Sequence, residues 1–434
     1  MKLPFDRANL EQLRSNIEFA LWRSVYALPR PFVSMFQLRK LKGRVARAYH
    51  CIPFYRELLD YHGVKPEHVK TLEDVSRLPL VFKNLLRSQP PERIVLNSIA
   101  PEEYRWAETS GSTGEPFRFP ALRPQYADRA HLFYCYRFLL REGVPLSYLL
   151  HVLKVARVSN GAVPSDSERH LIIPRDMMRE DPESLFRLVR DFHPDMLESR
   201  PTVLFELAQT IQSVPRHLRP VVRYIYTYGE SCLPNVRKHI EAAFGGTVFD
   251  MYGLAEVGVV GVECETHDGF HLNEESVLVE IVDENEVPCA PGEEGRILVT
   301  RLSWTYPGPF IRYDTGDRGM ILEGYCSCGL LARRLRAFGR TGFFVTLNSR
   351  RFYFTEFERI FERLSHSIFR YQIVQIGPAR LLVRLVPTER FTRRDARFIR
   401  EEFKKRFAVV PRITTVRHLE YNRGEKAPHF ILQE

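Results

Sequence analysis

The sequence predicts an α/β protein: a large multi-sheet N-terminal domain over residues 1–337 and a small α+β C-terminal domain over residues 338–434. Three observations carry this expectation. Strand-like and helical runs alternate through the middle of the chain, the pattern of a parallel or mixed sheet covered by helices. After Gly339 the rhythm changes to a compact βαββαβ unit. The charge changes at the same place. Of 63 Lys and Arg and 53 Asp and Glu, residues 337–434 hold 20 and 10, so the net charge of +10 lies there and residues 1–336 are neutral.

The elements follow in order. Residues 6–28 and 37–61 have apolar spacing near 3.6 and read as helices. "HGVKPEHVKTLEDVSRLPLVFK" is a loop-rich link with short helical turns, and residues 125–142 give another helix. Then come the strand "LLHVLKVARV", helices over Pro182–Asp191 and Val203–Val214, the strand "VVRYIYTYG", a helix over Leu233–Phe244 and the strand "TVFDMYG". From Gly269 to Val299 short strands, "SVLVEIVD" and "GRILVT", alternate with Gly- and Pro-rich turns. In the last quarter "FFVTL" is a strand, and "TEFERIFERL" a helix with Thr355 and Glu358 spaced as a capping box. "YQIVQIG" and "ARLLVRLVP" form a hairpin, a basic amphipathic helix starts at Thr392, and "RITTVRHL" is the last strand.

Composition narrows the class. At 434 residues and 44% hydrophobic content the chain can bury a large core. No unbroken apolar run is long enough to span a bilayer, and "IEFALWRSVYALPRPFVSMF" is broken by Arg23, Arg30 and two prolines. That stretch also lacks the layout of a cleavable signal. A cytoplasmic protein is expected, with peripheral membrane contact left open. The basic last quarter offers a surface to phosphates, acidic proteins, anionic membranes or nucleic acid. Seven cysteines form no secreted framework.

Four polar clusters stand where α/β proteins place ligands. "TSGSTGEP" packs small hydroxylated residues and glycines, which lets backbone N–H groups approach oxyanions. "TYGES" (227–231) follows a strand and precedes a helix, and "DMYGLAE" (250–256) again follows a strand. "RYDTGDRG" (312–319) reads as a turn with two carboxylates. A separate set involves sulfur. Cys326 and Cys328 form C-x-C in a turn, and "CETHDGFH" offers Cys264, His267 and His271. Three thiolates and one imidazole suit zinc, and away from oxidising compartments such a cluster reads as metal-binding rather than disulfide-forming.

In this order "TSGSTGEP", "YGE", "DMYGLAE", "YDTGD" and "GRTG" resemble the motifs of the adenylate-forming (AMP-binding) superfamily. The subgroup most similar is the phenylacetate-CoA ligase-like one, on "IPFYRELLDYHGVKPEHVKTLEDVSRLPLVFKNLLR" and "CSCGLLARRLRAFGR". The resemblance runs from about residue 40 to the end and makes residues 1–337 the adenylation domain. It implies a reaction of ATP with a carboxylate that releases pyrophosphate and leaves an acyl-adenylate, whose acyl group passes to a thiol. Ser110, Gly111, Ser112, Thr113 and Gly114 would then hold the β- and γ-phosphates, and Glu256 would hold Mg²⁺. Tyr252 and Gly253 would line the acyl and α-phosphate region; Gly229, Glu230 and Asp250 would border the adenine. Asp317 would accept from the ribose hydroxyls, and Arg340 would reach the ribose or a phosphate. Lys426, in "NRGEKAPHF", matches the lysine that offsets charge between two anionic reactants. The subgroup also favours His271 as the fourth zinc ligand beside Cys264, Cys326 and Cys328, with His267 open; the zinc reads as structural because no nucleotide motif contains a ligand.

Two departures bear on the second half-reaction. The hinge region reads "GRTGFF", with Gly342 and Phe343 at the positions the family makes acidic. Where the family has a glycine beside the thiol arm of coenzyme A, this chain has Ser349 followed by two arginines. The acceptor therefore stays open between coenzyme A, an acidic acyl carrier protein and an amine. The expected substrate is a small aromatic or otherwise apolar acid. Nucleic acid is not expected as a partner, and a homodimer is left open. The rival from another class is a non-catalytic nucleotide-binding protein of the same fold.

Overall fold

The computed structural model describes residues 28–97, 99–109, 117–122, 154–159, 165–166, 170–302, 308, 310–340, 344–417, 419 and 430–432. The helices expected over 6–28 and 125–142 lie outside these residues. The chain divides into two compact units, one from Met1–Val152 with Met251–Ala337, the other from Leu153–Asp250 with Phe338–Glu434. Among the described residues, no helix is long and apolar enough to cross a membrane.

In the first unit the single helix expected over 37–61 is two: Arg30–Cys51 and Pro53–Tyr61. Pro53 has no N–H to donate and excludes its predecessor from helical angles, and Ile52 is extended at φ −136°, ψ 110°. Leu41, Val45 and Ala48 lie on one buried face at helical spacing and join Phe54, Tyr55 and Leu59 in the core. That core closes on an antiparallel sheet. Its spatial order is Val277–Val282, Gly295–Arg301, Tyr313–Ile321, Arg334–Arg340, Phe270–Leu272, Gly258–Val262 and the end of Thr247–Leu254. A separate pair, Tyr104–Glu108 and Arg118–Leu122, flanks the glycine-rich loop. Residues 110–116 lie outside the described set, but the base of that loop is closed. Thr109 N–H donates to the Phe117 carbonyl at 3.0 Å, and Phe117 N–H donates to Thr109 Oγ1 at 3.1 Å.

"RYDTGDRG" is not a free turn; it lies within the strand Tyr313–Ile321. Leu298 pairs Asp314, yet Arg296 pairs Arg318, so the strand bulges between them. Gly316 supplies the required left-handed angle, φ 71°. The bulge is internally bonded. Asp314 Oδ1 accepts Gly316 N–H at 2.8 Å, and Thr315 Oγ1 donates to the Ile297 carbonyl at 2.8 Å while accepting Asp317 N–H at 3.0 Å.

In the second unit a parallel sheet runs in the order Tyr224–Tyr228, Met196–Ser199, Val155–Ser159, His170–Pro174, with Ser165–Asp166 antiparallel at the edge. The helices Pro182–Phe192, Pro201–Thr210 and Pro234–Phe244 each begin with proline, where the missing N–H costs nothing. Their apolar faces bury Ala156, Val158, Leu197 and Ile225 from one side of the sheet.

The same unit holds the basic segment. Its four-stranded sheet is ordered Arg412–Thr415, Arg380–Pro387, Ile368–Gly377, Phe430–Leu432. The expected hairpin is present, and the basic helix is Arg393–Phe407, capped by Thr392 in a box with Asp395. Two expectations are corrected. Phe344–Leu347 does not join the sheet but pairs Arg350–Tyr353 in its own hairpin, turned by Asn348 and Ser349 at φ 50° and 64°. The edge is filled instead by Phe430–Leu432, parallel to Ile368–Gly377. The next helix starts at Phe354 directly from the hairpin, so Thr355 falls inside the first turn rather than at the cap.

Candidate functional site

Three acids of the motifs are each held by a hydroxyl. Asp250 lies in the strand Thr247–Leu254 and accepts from Thr227 Oγ1 at 2.6 Å; Cys232 N–H also reaches it, at 3.4 Å. Asp317, turned by the Gly316 bulge, accepts from the Tyr252 hydroxyl at 2.8 Å. Glu256 accepts from the Tyr313 hydroxyl at 2.7 Å. All three are nearly buried, at 5%, 7% and 3% exposure. Glu256 meets no Lys or Arg among the described residues. Hydroxyl donors to a carboxylate shorten and strengthen the bond while leaving the acid its charge.

"DMYGLAE" does not simply follow a strand. Asp250, Tyr252 and Gly253 lie within Thr247–Leu254, and only Glu256 is beyond it. The register shifts between Tyr252 and Gly253, and a Cβ at Gly253 would sit 2.7 Å from the Gly258 carbonyl oxygen. Glycine is thus required for close backbone approach beside Tyr252. Gly229 ends the strand Tyr224–Tyr228 at φ 79°, and Glu230 follows with both carboxylate oxygens buried and without a hydrogen-bond partner among the described residues. Arg340 closes the strand Arg334–Arg340. Ser110, Gly111, Ser112, Thr113, Gly114 and Lys426 lie outside the described residues. Tyr252 and Asp317 are therefore brought together, Asp250 joins Thr227, and Glu256 is held by Tyr313, the first residue of "YDTGD".

The sulfur set converges. Cys264, His271, Cys326 and Cys328 are all buried, and their donor atoms lie within 4.8 Å of one another. Cys264 and Cys326 sulfurs are 3.6 Å apart, and Cys328 Sγ is 3.4 Å from His271 Nε2. Tetrahedral zinc with ligands at about 2.3 Å to sulfur and about 2.0 Å to nitrogen needs separations of roughly 3.5–3.8 Å. The donor set fits that ion. Strand pairing builds the site: Phe270–Leu272, which carries His271, lies between Gly258–Val262, just before Cys264, and Arg334–Arg340, which follows the Cys326–Cys328 turn. His267 turns elsewhere, with Nδ1 at 3.3 Å from Glu263 Oε2. The Cys328 thiol is held low by hydrogen bonding to Cys264 and then to His271, whereas the Cys264 thiol is pushed up by the same contact with Cys328.

Sequence reasoning missed Tyr313 and Thr315, which hold Glu256 and shape the bulge under Asp317. It also missed an ion pair across the parallel sheet, where Arg157 Nε donates to Glu198 Oε1 at 2.6 Å. Tyr313 and Thr315 lie inside "YDTGD", but their roles, like that of the Arg157–Glu198 pair, come only from partners distant in sequence.

The geometry agrees with known proteins. The AMP-binding enzyme family model matches residues 164–305. Phenylacetate-coenzyme A ligase of Thermus thermophilus is 28% identical over 360 residues, covering 80% of this chain and 79% of that protein. The Escherichia coli phenylacetate-coenzyme A ligase is 28% identical over 355 residues, covering 78% of each. Among solved structures, 2-hydroxyisobutyryl-CoA ligase in the postadenylation state aligns with TM-score 0.74 at 21% identity, covering 94% of this chain and 90% of that one. The chain is thus similar to AMP-binding enzymes over residues 164–305, and its fold matches that of a solved CoA ligase. Over most of its length it resembles phenylacetate-coenzyme A ligases, the subgroup its motifs suggest.

Proposed function

We propose that this chain is an ATP-dependent, AMP-forming carboxylate ligase that delivers its acyl group to the thiol of coenzyme A. One observation carries the reading: the three motif acids, Asp250, Glu256 and Asp317, are nearly buried and each held by a hydroxyl, in a chain similar to phenylacetate-CoA ligases over most of its length. Glu256 meets no Lys or Arg among the described residues, and a buried acid kept only for structure is costly unless paired with a cation.

In the first half-reaction an oxygen of the acid bonds to the α-phosphorus of ATP as the bond to pyrophosphate breaks. The loop Ser110–Gly114 grips the β- and γ-phosphates, and Gly229, Glu230 and Asp250 border the adenine. Asp317, oriented by Tyr252, accepts from the ribose hydroxyls, and Arg340 adds a cation on the ribose or phosphate side. Tyr252 and Gly253 line the acyl and α-phosphate region. Lys426 offsets the charge that builds between carboxylate and phosphate. Glu256 would hold Mg²⁺, which supplies positive charge against the triphosphate. In the second half-reaction the thiol sulfur bonds to the acyl carbon and AMP leaves. The acid is small and aromatic or otherwise apolar. Residues 338–434 act as a small domain of their own, with the hinge at Gly342. Cys264, His271, Cys326 and Cys328 would hold a structural zinc ion.

A second acceptor, the thiol of an acidic carrier protein, is favoured by one feature. The helix Arg393–Phe407 exposes Arg393, Arg394, Arg397, Arg400, Lys404 and Lys405, none in an ion pair among the described residues. The test is ATP–pyrophosphate exchange across an acid library, then AMP release with coenzyme A or a carrier protein as acceptor. Exchange with no acid would sink the ligase reading and leave a nucleotide-binding protein.

A further inference from the structure

The parallel sheet contains a polar row that the motifs do not explain. The chain lays down Val155–Ser159, moves to His170–Pro174 on one side, and then returns to Met196–Ser199 on the other. The line between Val155–Ser159 and Met196–Ser199 is therefore the point where connections leave in opposite directions. Open α/β sheets take ligands in the crevice beyond the carboxyl ends of the strands at such a point.

Arg157 and Glu198 are register partners across this line, and Tyr226 is the partner of Glu198 on the next strand. They share a sheet face opposite the one that Ala156, Val158, Leu197 and Ile225 bury against helices. Tyr226 stacks on Phe249 with ring centroids 5.7 Å apart, so this face is aromatic around the ion pair. The pair is lopsided: the Glu198 side chain is 4% exposed and the Arg157 side chain 51%. Both Arg157 contacts, from Nε and Nη2, fall on Glu198 Oε1. Glu198 Oε2 has no hydrogen-bond partner among the described residues. One residue past Thr227, Tyr228 lies close enough to couple to both Arg157 and Glu198. Burial pushes its phenol up, so it stays a donor, and its hydroxyl also has no hydrogen-bond partner among the described residues. The next residues are Gly229 and Glu230, so this row adjoins the nucleotide motif.

We infer that Glu198 and Tyr228 read a hydroxyl group on the tail of the acid substrate, with Arg157 as the positioning residue that holds Glu198. The chemistry selects a hydroxyl. Glu198 Oε2 only accepts and the Tyr228 phenol donates, so one group must do both, and a hydroxyl does. The inference rests on the ligase reading and narrows its substrate from an apolar aromatic acid to a hydroxylated one.

The test compares phenylacetate, 4-fluorophenylacetate, 3-hydroxyphenylacetate and 4-hydroxyphenylacetate in ATP–pyrophosphate exchange. A site with buried hydrogen-bonding groups rejects an analogue lacking the partner, so kcat/KM should favour a hydroxylated acid by about 100-fold or more. Tyr228→Phe removes one oxygen and keeps the ring; it should cut that preference about 10-fold. Glu198→Leu should abolish it, with a thermal melt run beside it to show that the variant folds. Arg157→Lys should raise KM for the hydroxylated acids more than it lowers kcat. Equal rates for bare and hydroxylated acids, or a preference that survives both Tyr228→Phe and Glu198→Leu, overturns the inference while the ligase reading stands. No exchange with any of the four acids also overturns the inference, whereas the ligase reading falls only if the wider acid library gives no exchange.

Discussion

Tyr313→Phe isolates the bond that holds Glu256. Tyr313 is 1% exposed, its ring packs edge-on against Phe310 at 5.2 Å, and its hydroxyl donates to Glu256 at 2.7 Å. Phenylalanine keeps the ring contacts and leaves no new cavity beyond one oxygen. What is lost is a hydrogen bond to a charged group that is itself 3% exposed. Such bonds contribute about 1.5–3 kcal/mol, and the orphaned carboxylate cannot turn to water to recover it. Each kcal/mol moves Tm by roughly 2–4 °C in domains of this order of size, so a drop of about 3–12 °C is expected. A double-mutant cycle with Glu256→Gln should return most of this as coupling, because the residues touch and are 57 apart in sequence. The variant should also need more Mg²⁺ for half-maximal exchange, because the carboxylate is no longer held in one orientation. The assay is thermal unfolding in the absence of nucleotide, followed by a Mg²⁺ titration of exchange. An unchanged Tm together with an unchanged Mg²⁺ requirement would refute the idea that Tyr313 positions a metal-binding carboxylate.

Metal analysis of the purified protein should give one zinc per chain; Cys326→Ser and His271→Ala should lose it and melt lower, whereas His267→Ala should keep it. Gly253→Ala should cost about 1–3 kcal/mol by forcing a Cβ toward the Gly258 carbonyl, and exchange should fall with it; a variant of native Tm would show that the strands have room to part. Asp181 caps the helix Pro182–Phe192 by accepting Ser184 N–H, and bonding to Ser184 holds its carboxyl below the usual range. That contribution is present above the unfolded-state pKa and is lost as pH falls through the folded one. Asp181→Ala should therefore melt below the parent at neutral pH and converge with it in acid; a gap that persists at low pH would place the effect elsewhere.

The framework was legible because parallel strands such as "YIYTY" are short apolar runs followed by proline-initiated helices, a signal that needs no tertiary partner. The start of the basic helix at Thr392 was legible for the same reason. The misread stretch was "RYDTGDRG", where glycine, threonine and two aspartates carry every local mark of a turn. Its burial alternates along the strand, with Tyr313, Thr315 and Asp317 inward. Polar residues occupy inward positions there because a neighbouring strand and Tyr252, 65 residues away, supply their partners. Local propensity has no access to that. The hydroxyl–acid pairs were invisible for this reason even though most of the acids themselves could be picked out from their motifs. The sulfur cluster was half legible. C-x-C announced itself, but only the pairing of Phe270–Leu272 with its neighbours decides between His271 and His267.

The first unit treats its buried acids in two ways, and the difference has a functional consequence. Asp314 is paired with Arg296 at 2.9 Å, Glu280 with Arg312 at 3.2 Å, and Glu274 with Arg30 and Arg333. Their charge is cancelled within the fold, and such pairs fix strands and helices without attracting anything further. Among the described residues Glu256 receives only a phenol and meets no cation, in a place water hardly reaches. Burying a charge in this way is unfavourable, and it is tolerated where a ligand supplies the missing cation. An arginine opposite Glu256 would stabilise the empty protein more but would leave nothing for a metal to bind. On the proposed reading, the phenol fixes the direction of the carboxylate while leaving its charge for an incoming ion, and the protein would give up resting stability to keep the site receptive.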